Sequence, residues 1–309
     1  MTFERPGAVV ALAGGVGGAR LVDGLDRALP AGALTVVVNT GDDFPHWGLH
    51  ISPDLDTIMY TLSGLAPEER GWGIEGDTFE ALAEAKRRGD EGWFQLGDRD
   101  LVTHLTRTAS LARGESLTDA TAALCRSLDV SRPLLPMSDA PRPTRVVTRG
   151  GETLDFQQWL VRTRASLPVS SIELGGDAAA TPEVMAALDH AELVVICPSN
   201  PYVSIDPILS LDGVRDALRT KTTIAVSPIL GGRAVKGPLG TMIPELTGQE
   251  PSAHAVGQHY DGLLDAFVVQ DGDGFAANYR VFETNILIRR REDRVRLASE
   301  LLQLATETR

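Results

Sequence analysis

The chain is poor in cysteine. Of 309 residues only Cys125 and Cys197 carry a thiol, far apart and outside any CxxC or CxxH spacing. That excludes a disulfide framework and a cysteine-built zinc site, and it points to a reducing compartment. Long apolar runs are also missing: none reaches the roughly 18 residues that a membrane-spanning helix needs. The first one, residues 8–13, is too short for the core of a secretory signal and passes straight into glycines. A cytoplasmic protein is expected. Positive charge is scarce, with 29 Lys plus Arg against 42 Asp plus Glu and a formal net charge of −13. A field of that sign repels nucleic acid and anionic membrane, so neither is expected as a partner. A nucleotide stays compatible, because backbone N–H groups or a cation can supply positive charge locally. Aromatic residues make up only 5% of the chain. Each of Trp47, Trp72, Trp93 and Trp159 is therefore worth weighing as a stacking surface, with core packing the default. Low-complexity segments, repeats and Pro/Ser-rich linkers are absent, so residues 1–309 are expected to form one composite domain.

What is present has a clear order. Residues 8–13 are continuously apolar, the pattern of a strand buried on both faces of a parallel sheet. Gly14, Gly15, Val16, Gly17 and Gly18 follow as a predicted loop, and residues 19–29 place Leu21, Val22, Leu25 and Leu29 at helical spacing. Residues 34–38 repeat the buried-strand pattern and end in Asn39-Thr40-Gly41-Asp42-Asp43. In such a β-loop-α-β opening, the right-handed crossover brings both strand ends to one edge. Similar units return late, at residues 193–197 before Pro198-Ser199-Asn200-Pro201, at 222–226 before Ser227-Pro228-Ile229, and at 266–269. A closing amphipathic helix is expected over 293–306. The predicted class is α/β, a Rossmann-like doubly wound, mostly parallel sheet with its site at the carboxyl ends of the strands. Residues 67–133, approximately, are polar and helix-like and read as a helical insertion beside that sheet.

Two stretches stand out for chemistry. The glycine run lets a backbone approach a diphosphate closely, and the helix N-terminus behind it favours negative charge. It matches no named motif: Arg20 stands where GxGxxG needs its third glycine, and no Lys-Ser/Thr follows for a Walker loop. The alternative is a plain strand-to-helix turn, but four glycines in five residues exceed what a turn needs. Residues 39–57 hold Asp42, Asp43, Asp54 and Asp56 together with His46, Trp47 and His50. Hard oxygen ligands of this kind suit Mg²⁺, which takes one or two carboxylates plus substrate phosphates. Asp54 or Asp56 could instead cap the helix that begins before the apolar run at Ile58. Pro45 and Gly48 mark the two histidines as loop residues with no glutamate between them, against a zinc site. Leu96-Gly97-Asp98-Arg99-Asp100, followed by His104, reads equally as a helix cap or as part of a site. Asn39, Ser199, Asn200, Ser204 and Ser227, all near strand ends, can read a base or ribose. His190, His254 and His259 stand alone and are expected to be surface or core residues.

These segments in this order resemble the 2-phospho-L-lactate transferase family, called CofD in archaea and FbiA in actinobacteria. The resemblance rests on residues 13–18, 36–40, 51–57, Trp72-Gly73-Ile74 with Asp77-Thr78-Phe79, 96–100 with Thr103-His104, 135–139, 198–201 and 226–229. It implies a Mg²⁺-dependent transferase of coenzyme F420 biosynthesis. The family moves a phospholactyl or phosphoenolpyruvyl group from its GDP-linked form to the ribityl hydroxyl of the deazaflavin Fo, releasing GMP. By position, Asp56 and Gln95 match the family's Fo contacts. Fo is then expected between residues 42–57, with Trp47, His50 and Thr57, and the insertion carrying Gln95, Gly97, Asp98 and Arg99. Asp42, Asp43, Asp54 and Asp56 are the pool for a proton acceptor, and Asp42, Asp54 and Asp56 the expected Mg²⁺ ligands. The family implies a homodimer. A competing class is the nucleotide-sugar-binding regulator of the gluconeogenesis factor type, which shares the fold; the 96–100 block and the Asp56/Gln95 pair favour the enzyme. A dinucleotide-dependent oxidoreductase is disfavoured by the broken glycine motif.

Overall fold

Five consecutive buried residues, Val9–Ala13, form strand β1. Val9, Ala11 and Ala13 turn to one face and Val10 and Leu12 to the other, as the two-residue period of a strand requires. Each face meets its own apolar layer, so β1 is central to a three-layer molecule. The computed structural model describes residues 6–308. After β1 come α1 (Gly15–Ala28), β2 (Leu34–Val38), the hairpin strands β3 (Phe44–His46) and β4 (Leu49–Ile51), and α2 (Pro53–Leu62). Helices α3 (Glu80–Arg87), α4 (Asp100–Ala112) and α5 (Leu117–Ser127) lead to β5 (Leu134–Pro136). Strands β6 (Thr144–Thr148), β7 (Thr153–Asp155) and β8 (Val169–Leu174) follow, with a π-helical turn, Gln158–Arg162, before the last. Next are α6 (Pro182–His190), β9 (Leu193–Ile196), a second π-helical turn at Pro201–Ile205, α7 (Asp206–Leu209), α8 (Val214–Leu218) and β10 (Thr222–Val226). The chain ends with β11 (Ile229–Leu230), β12 (Arg233–Ala234), α9 (Leu239–Thr247), α10 (Ala253–His259), β13 (Ala266–Val269), β14 (Arg280–Glu283) and α11 (Arg291–Thr308).

The main sheet has seven strands in the order β14-β13-β10-β9-β1-β2-β5, and every pair in it is parallel. The chain winds outward one way from β1 and the other way from β9, so the topological switch point lies between these neighbours. Helices α1, α2 and α11 bury Leu21, Leu25, Ile58, Leu297 and Leu301 on one face. On the other, α6, α8 and α10 bury Val184, Leu188, Val214 and Val256. No described helix is long and apolar enough to cross a membrane.

The α/β class is as the sequence predicts, with a sheet that is wholly parallel. Residues 67–133 carry helices and no described strand. Two local readings need correction. The glycine run is not all loop: helix α1 begins at Gly15 and takes in Val16, Gly17 and Gly18. Residues 44–51, read as loop, pair as a hairpin, whose two-residue turn puts Trp47 at φ 51° and Gly48 at φ 75°. Two left-handed residues in a row match the right-handed twist of the strands they join. The antiparallel sheet β7-β6-β8 was not foreseen at all.

Candidate active site

The loops after β1 and β9 are tied together at the switch point. The Ser199 hydroxyl donates to the Gly14 carbonyl at 2.7 Å and accepts from the Gly14 N–H at 3.1 Å. Gly15 turns left-handed at φ 64°, which favours glycine, and its N–H donates to Asp54 Oδ1 at 2.7 Å. A Cβ on Gly14 would strike Asp54 and Ser204, and one on Gly17 would strike the Pro198 carbonyl. The glycines thus let α1, α2 and the Pro198 loop close up around one point. A cavity of about 380 Å³ opens there, lined by residues 14–17, Asp42, Asp54, Ser199, Asn200, Ser204 and Ser227. Of the residues expected to bind a nucleotide, Gly18 and Asn39 lie beneath this wall. Gly18 packs on Ser199 and Ala13. Arg20, Arg70 and Lys236 stand at the rim. Arg20 donates to the Ile288 and Glu68 carbonyls, Arg70 to that of Trp72, and Lys236 to those of Glu69 and Arg70. Bonds to carbonyls leave their positive charge available to an anion. Burial, then the nearby Arg20, lowers the Lys236 pKa.

Asn39 organises the carboxylates. Its amide donates to Asp42 Oδ1 at 2.7 Å and to Asp54 Oδ2 at 2.9 Å. Gln157 donates to the other Asp42 oxygen at 2.7 Å. Burial pushes the Asp54 pKa up to about 6 against the bonds from Asn39 and Gly15. Burial, then repulsion from Asp54 and Asp43, holds Asp42 well above the usual carboxylate range. Asp54 and Asp56 stand in the first turn of α2 but do not cap that helix; Asp54 instead accepts from the first N–H of α1. The other two expected catalytic carboxylates are engaged elsewhere. Asp43 accepts from Ser52 at 2.7 Å and pairs with His50 at 3.0 Å, and it lines neither cavity described here. Asp56 is gripped by both terminal nitrogens of the buried Arg107. With both oxygens held by one guanidinium, this carboxylate has little lone-pair capacity left for a metal ion. Among the described residues, no three His, Cys, Asp or Glu side chains gather as a metal-binding group. A cation at Asp42 and Asp54 would draw its remaining ligands from substrate phosphates and water, as Mg²⁺ does.

A second cavity, of about 630 Å³, adjoins the first. One face of α2 forms its floor: Pro53, Asp56, Thr57 and Tyr60 recur at helical spacing. His104 and Asp100 of α4 stand beside them, with Trp93, Phe94 and Gln95 from the preceding loop. The segment around the first π-helical turn closes the opposite side with Leu160, Val161, Arg162 and Arg164. Val16, Asp54, Trp72, Gln157 and Leu160 line both cavities. Of the residues expected around the acceptor, Asp56, Thr57 and Gln95 line this cavity, whereas Trp47, His50, Gly97, Asp98 and Arg99 do not. Trp47 stacks on His46 and donates to Asp90 at 2.9 Å. Asp98 caps α3 by accepting from the N–H groups of Glu80 and Ala81, and Asp77 returns the favour to α4 through Arg99 and Asp100. Gly97 is needed because a Cβ there would strike the Asp77 carboxylate. These residues line neither cavity, and their bonds hold the surrounding segments together. The aromatic wall falls to Trp93, Phe94 and Trp72, the last 39% exposed. Sequence reasoning missed Gln157, Arg107, Arg20 and Lys236, which no motif marks. His104 was noticed only as part of a block.

A family model described as 2-phospho-L-lactate transferase CofD matches residues 9–301. The phosphoenolpyruvate transferase of Thermobifida fusca is 44% identical over 280 residues, covering 86% of this chain and 87% of that one. The 2-phospho-L-lactate transferase of Methanosarcina mazei is 40% identical over 267 residues, covering 86% and 88%. Among solved structures, a UPF0052 family protein of Bacillus halodurans aligns with TM-score 0.68 at 14% identity, over 97% of this chain and 99% of that one. At that identity the likeness is one of fold.

Proposed function

The chain belongs to the 2-phospho-L-lactate transferase CofD family, enzymes of coenzyme F420 biosynthesis, and from that premise we propose that it transfers a phospholactyl or phosphoenolpyruvyl group from a GDP-linked donor to the terminal ribityl hydroxyl of the deazaflavin Fo. One observation carries this reading: two cavities meet, and Asp54 is the carboxylate that lines both. A two-substrate transfer needs such a meeting point, with the accepting hydroxyl held against the donor phosphorus. The donor's nucleotide lies in the first cavity, its diphosphate over residues 14–17 with Arg20, Arg70 and Lys236 offsetting the charge. Fo lies in the second, its flat ring against Trp93, Phe94 and Trp72 and its ribityl chain directed at Asp54.

In the reaction the ribityl oxygen bonds to the phosphorus that bears the lactyl or enolpyruvyl group. The bond from that phosphorus to the bridging oxygen breaks, and GMP leaves with the electron pair. Asp54 accepts the hydroxyl proton; a carboxylate raised to about 6 is ionised near neutral pH yet basic enough to share a proton. Asp42 fits Mg²⁺, since burial beside Asp54 makes its negative charge costly without a counter-ion. Bound there with phosphate oxygens, Mg²⁺ would offset the charge that develops on the leaving oxygen. Asn39 and Gln157 hold the Asp42 carboxylate in place. Asp56, tied to Arg107, serves as wall and not as metal ligand. The test is to incubate the protein with Fo, Mg²⁺ and each GDP-linked donor and to follow product by mass. F420-0 or its dehydro form is expected. No product from either donor, together with binding of UDP-sugars, would replace the enzyme with a nucleotide-sugar-binding regulator.

A further inference from the structure

The segment 70–73 crosses from one cavity to the other. Arg70 lines the first, Trp72 lines both and Gly73 lines the second. Gly71 and Gly73, at φ 77° and 70°, turn the chain left-handed on each side of the exposed Trp72. The turn rests on Val16, which also lines both cavities; a Cβ on Gly71 would strike its side chain. Arg70 and Trp72 are joined twice. The guanidinium carbon lies 4.4 Å from the centroid of the indole, and Nε donates to the Trp72 carbonyl at 2.9 Å. A cation over a tryptophan face is held there by the quadrupole of the ring. With one face of the indole taken by Arg70, the other is the face left for a ligand ring. Arg70 differs from the other rim cations in what its charged end does. Arg20 spends both terminal nitrogens on the Ile288 and Glu68 carbonyls, and Lys236 spends its ammonium on those of Glu69 and Arg70. Arg70 uses only Nε, and among the described residues its terminal nitrogens have no hydrogen-bond partner. Nor are they closed off, since the buried partnerless guanidinium nitrogens belong to Arg20, Arg107 and Arg294. A planar fork with its end free suits a phosphate.

We propose that Arg70 holds a phosphate of the donor with its terminal nitrogens while its face stays on Trp72, and that this sets the indole against which the acceptor ring lies, so that the two substrates bind cooperatively. The proposal deepens the two-cavity reading and rests on it. Toward the acceptor Arg70 is a positioning residue, acting through Trp72. The cause is ordering. Phosphate binding fixes Arg70, the turn and the indole together, so an acceptor arriving second meets a ring already in place and loses less conformational freedom on binding. Such coupling is reciprocal: each ligand must tighten the other by the same factor. It favours the complex that holds both substrates, the one state from which transfer can occur.

Fo binding is followed by its fluorescence in Mg²⁺, alone and with saturating GDP or guanosine, and GDP binding by calorimetry with and without Fo. In the wild type, GDP should tighten Fo about fivefold or more, and Fo should tighten GDP equally. Guanosine, which lacks the phosphates, should leave Fo affinity unchanged. Arg70→Met should remove the coupling. Arg70→Lys keeps the charge without the planar fork or the Nε bond to Trp72, so it should recover GDP affinity lost in Arg70→Met but not the coupling. Trp72→Leu should remove the coupling as well. In wild-type protein labelled with ¹⁵N-tryptophan, GDP alone should shift the Trp72 indole N–H signal, a measurement that depends on no variant folding. A wild type in which GDP leaves Fo affinity unchanged or weakens it, guanosine acting as GDP does, a Trp72 signal indifferent to GDP, or full coupling in Arg70→Met would each overturn the proposal. Failure of GDP to bind at all, or of Fo to bind even with GDP present, would instead overturn the two-cavity reading beneath it.

Discussion

The two cavities are built by different means. The first, the proposed donor side, is made of backbone: glycines at the start of α1, the Pro198 loop and a serine that stitches them. Its position follows from the strand order, since any chain wound this way leaves a crevice between β1 and β9. The acceptor side is made of side chains from α2, α4 and the first π-helical turn, elements that no topological rule brings together. Beneath it lies a buried ionic network, Arg107 on Asp56 with His104 between Arg107 and Asp100. Backbone sites gain reach from what glycine leaves out, and each substitution there is a matter of space. Side-chain sites depend on complete pairing, and removing one member strands another. The two halves should therefore fail differently.

The junction should fail most severely. Asp54→Asn is expected to lower turnover about 10²–10⁴-fold, the range for losing a positioned acid–base group, while GDP and Fo each still bind in separate titrations. Loss of one ligand with turnover otherwise intact would place Asp54 in a single cavity and dissolve the junction. The acceptor side should fail next, through stability. Arg107→Met leaves Asp56 buried and unpaired, an expected loss of about 3–5 kcal/mol in urea unfolding. Removing both charges, Arg107→Met with Asp56→Leu, should recover much of that stability without restoring Fo binding. A benign single variant would show that the network is not what holds this half rigid.

The same contrast sets what the sequence could reveal. The buried-strand pattern of residues 8–13, 34–38 and 193–197 made the parallel sheet legible, and with it the crevice and the glycines that edge it. The Asp42/Asp54 pairing is legible in the sequence only as composition, and nothing there marks Asn39 as the residue that bridges the two. Trp47 is the natural sequence candidate for a stacking wall because it sits near the carboxylates, but the hairpin turn carries it away from the cavity that Trp93 and Phe94 line. Gln157 lies 115 residues from Asp42 in the chain and reaches it only because β6, β7 and β8 fold as a separate sheet. Those strands are short and mostly polar, so no periodicity marks them. The 96–100 block is legible equally as a helix cap or as part of a site, and Asp98 is a cap; its counterpart Asp77 carries no such mark in the sequence.

The donor side should fail by space alone. At Gly17 one methyl group suffices, because it meets the Pro198 carbonyl, a backbone atom with little room to move. Gly17→Ala should cost about 1–3 kcal/mol, the range for overpacking, and weaken GDP more than Fo in calorimetry. Equal losses for both ligands would mean that the α1 start supports the whole junction and that the two halves are not separable.

The smallest effect expected is a pH dependence of the protein free of metal and nucleotide, in which the buried carboxylates at and around the junction supply the part that falls with rising pH. Asp54 titrates at about 6 when folded, against an ordinary 3.8, because burial disfavours its charge. Asp42 and Asp43 are shifted upward too, again with burial as the leading cause. A carboxylate with a raised folded pKa holds its proton more tightly in the native state than in the unfolded chain. Between the two values the native state therefore carries more bound protons, and stability falls as pH rises. In chelator, Tm should decline from about pH 4 to pH 6 through Asp54, and further as the more strongly shifted Asp42 ionises. Asp54→Asn should flatten the lower part of that decline, and its Tm at pH 8 should equal or exceed that of the wild type, since a charge held for chemistry is no longer forced into a dry place. A wild-type Tm that rises across this window would mean that these carboxylates are solvated or paired in solution, and the junction would lose the electrostatic tension that distinguishes it from both cavities.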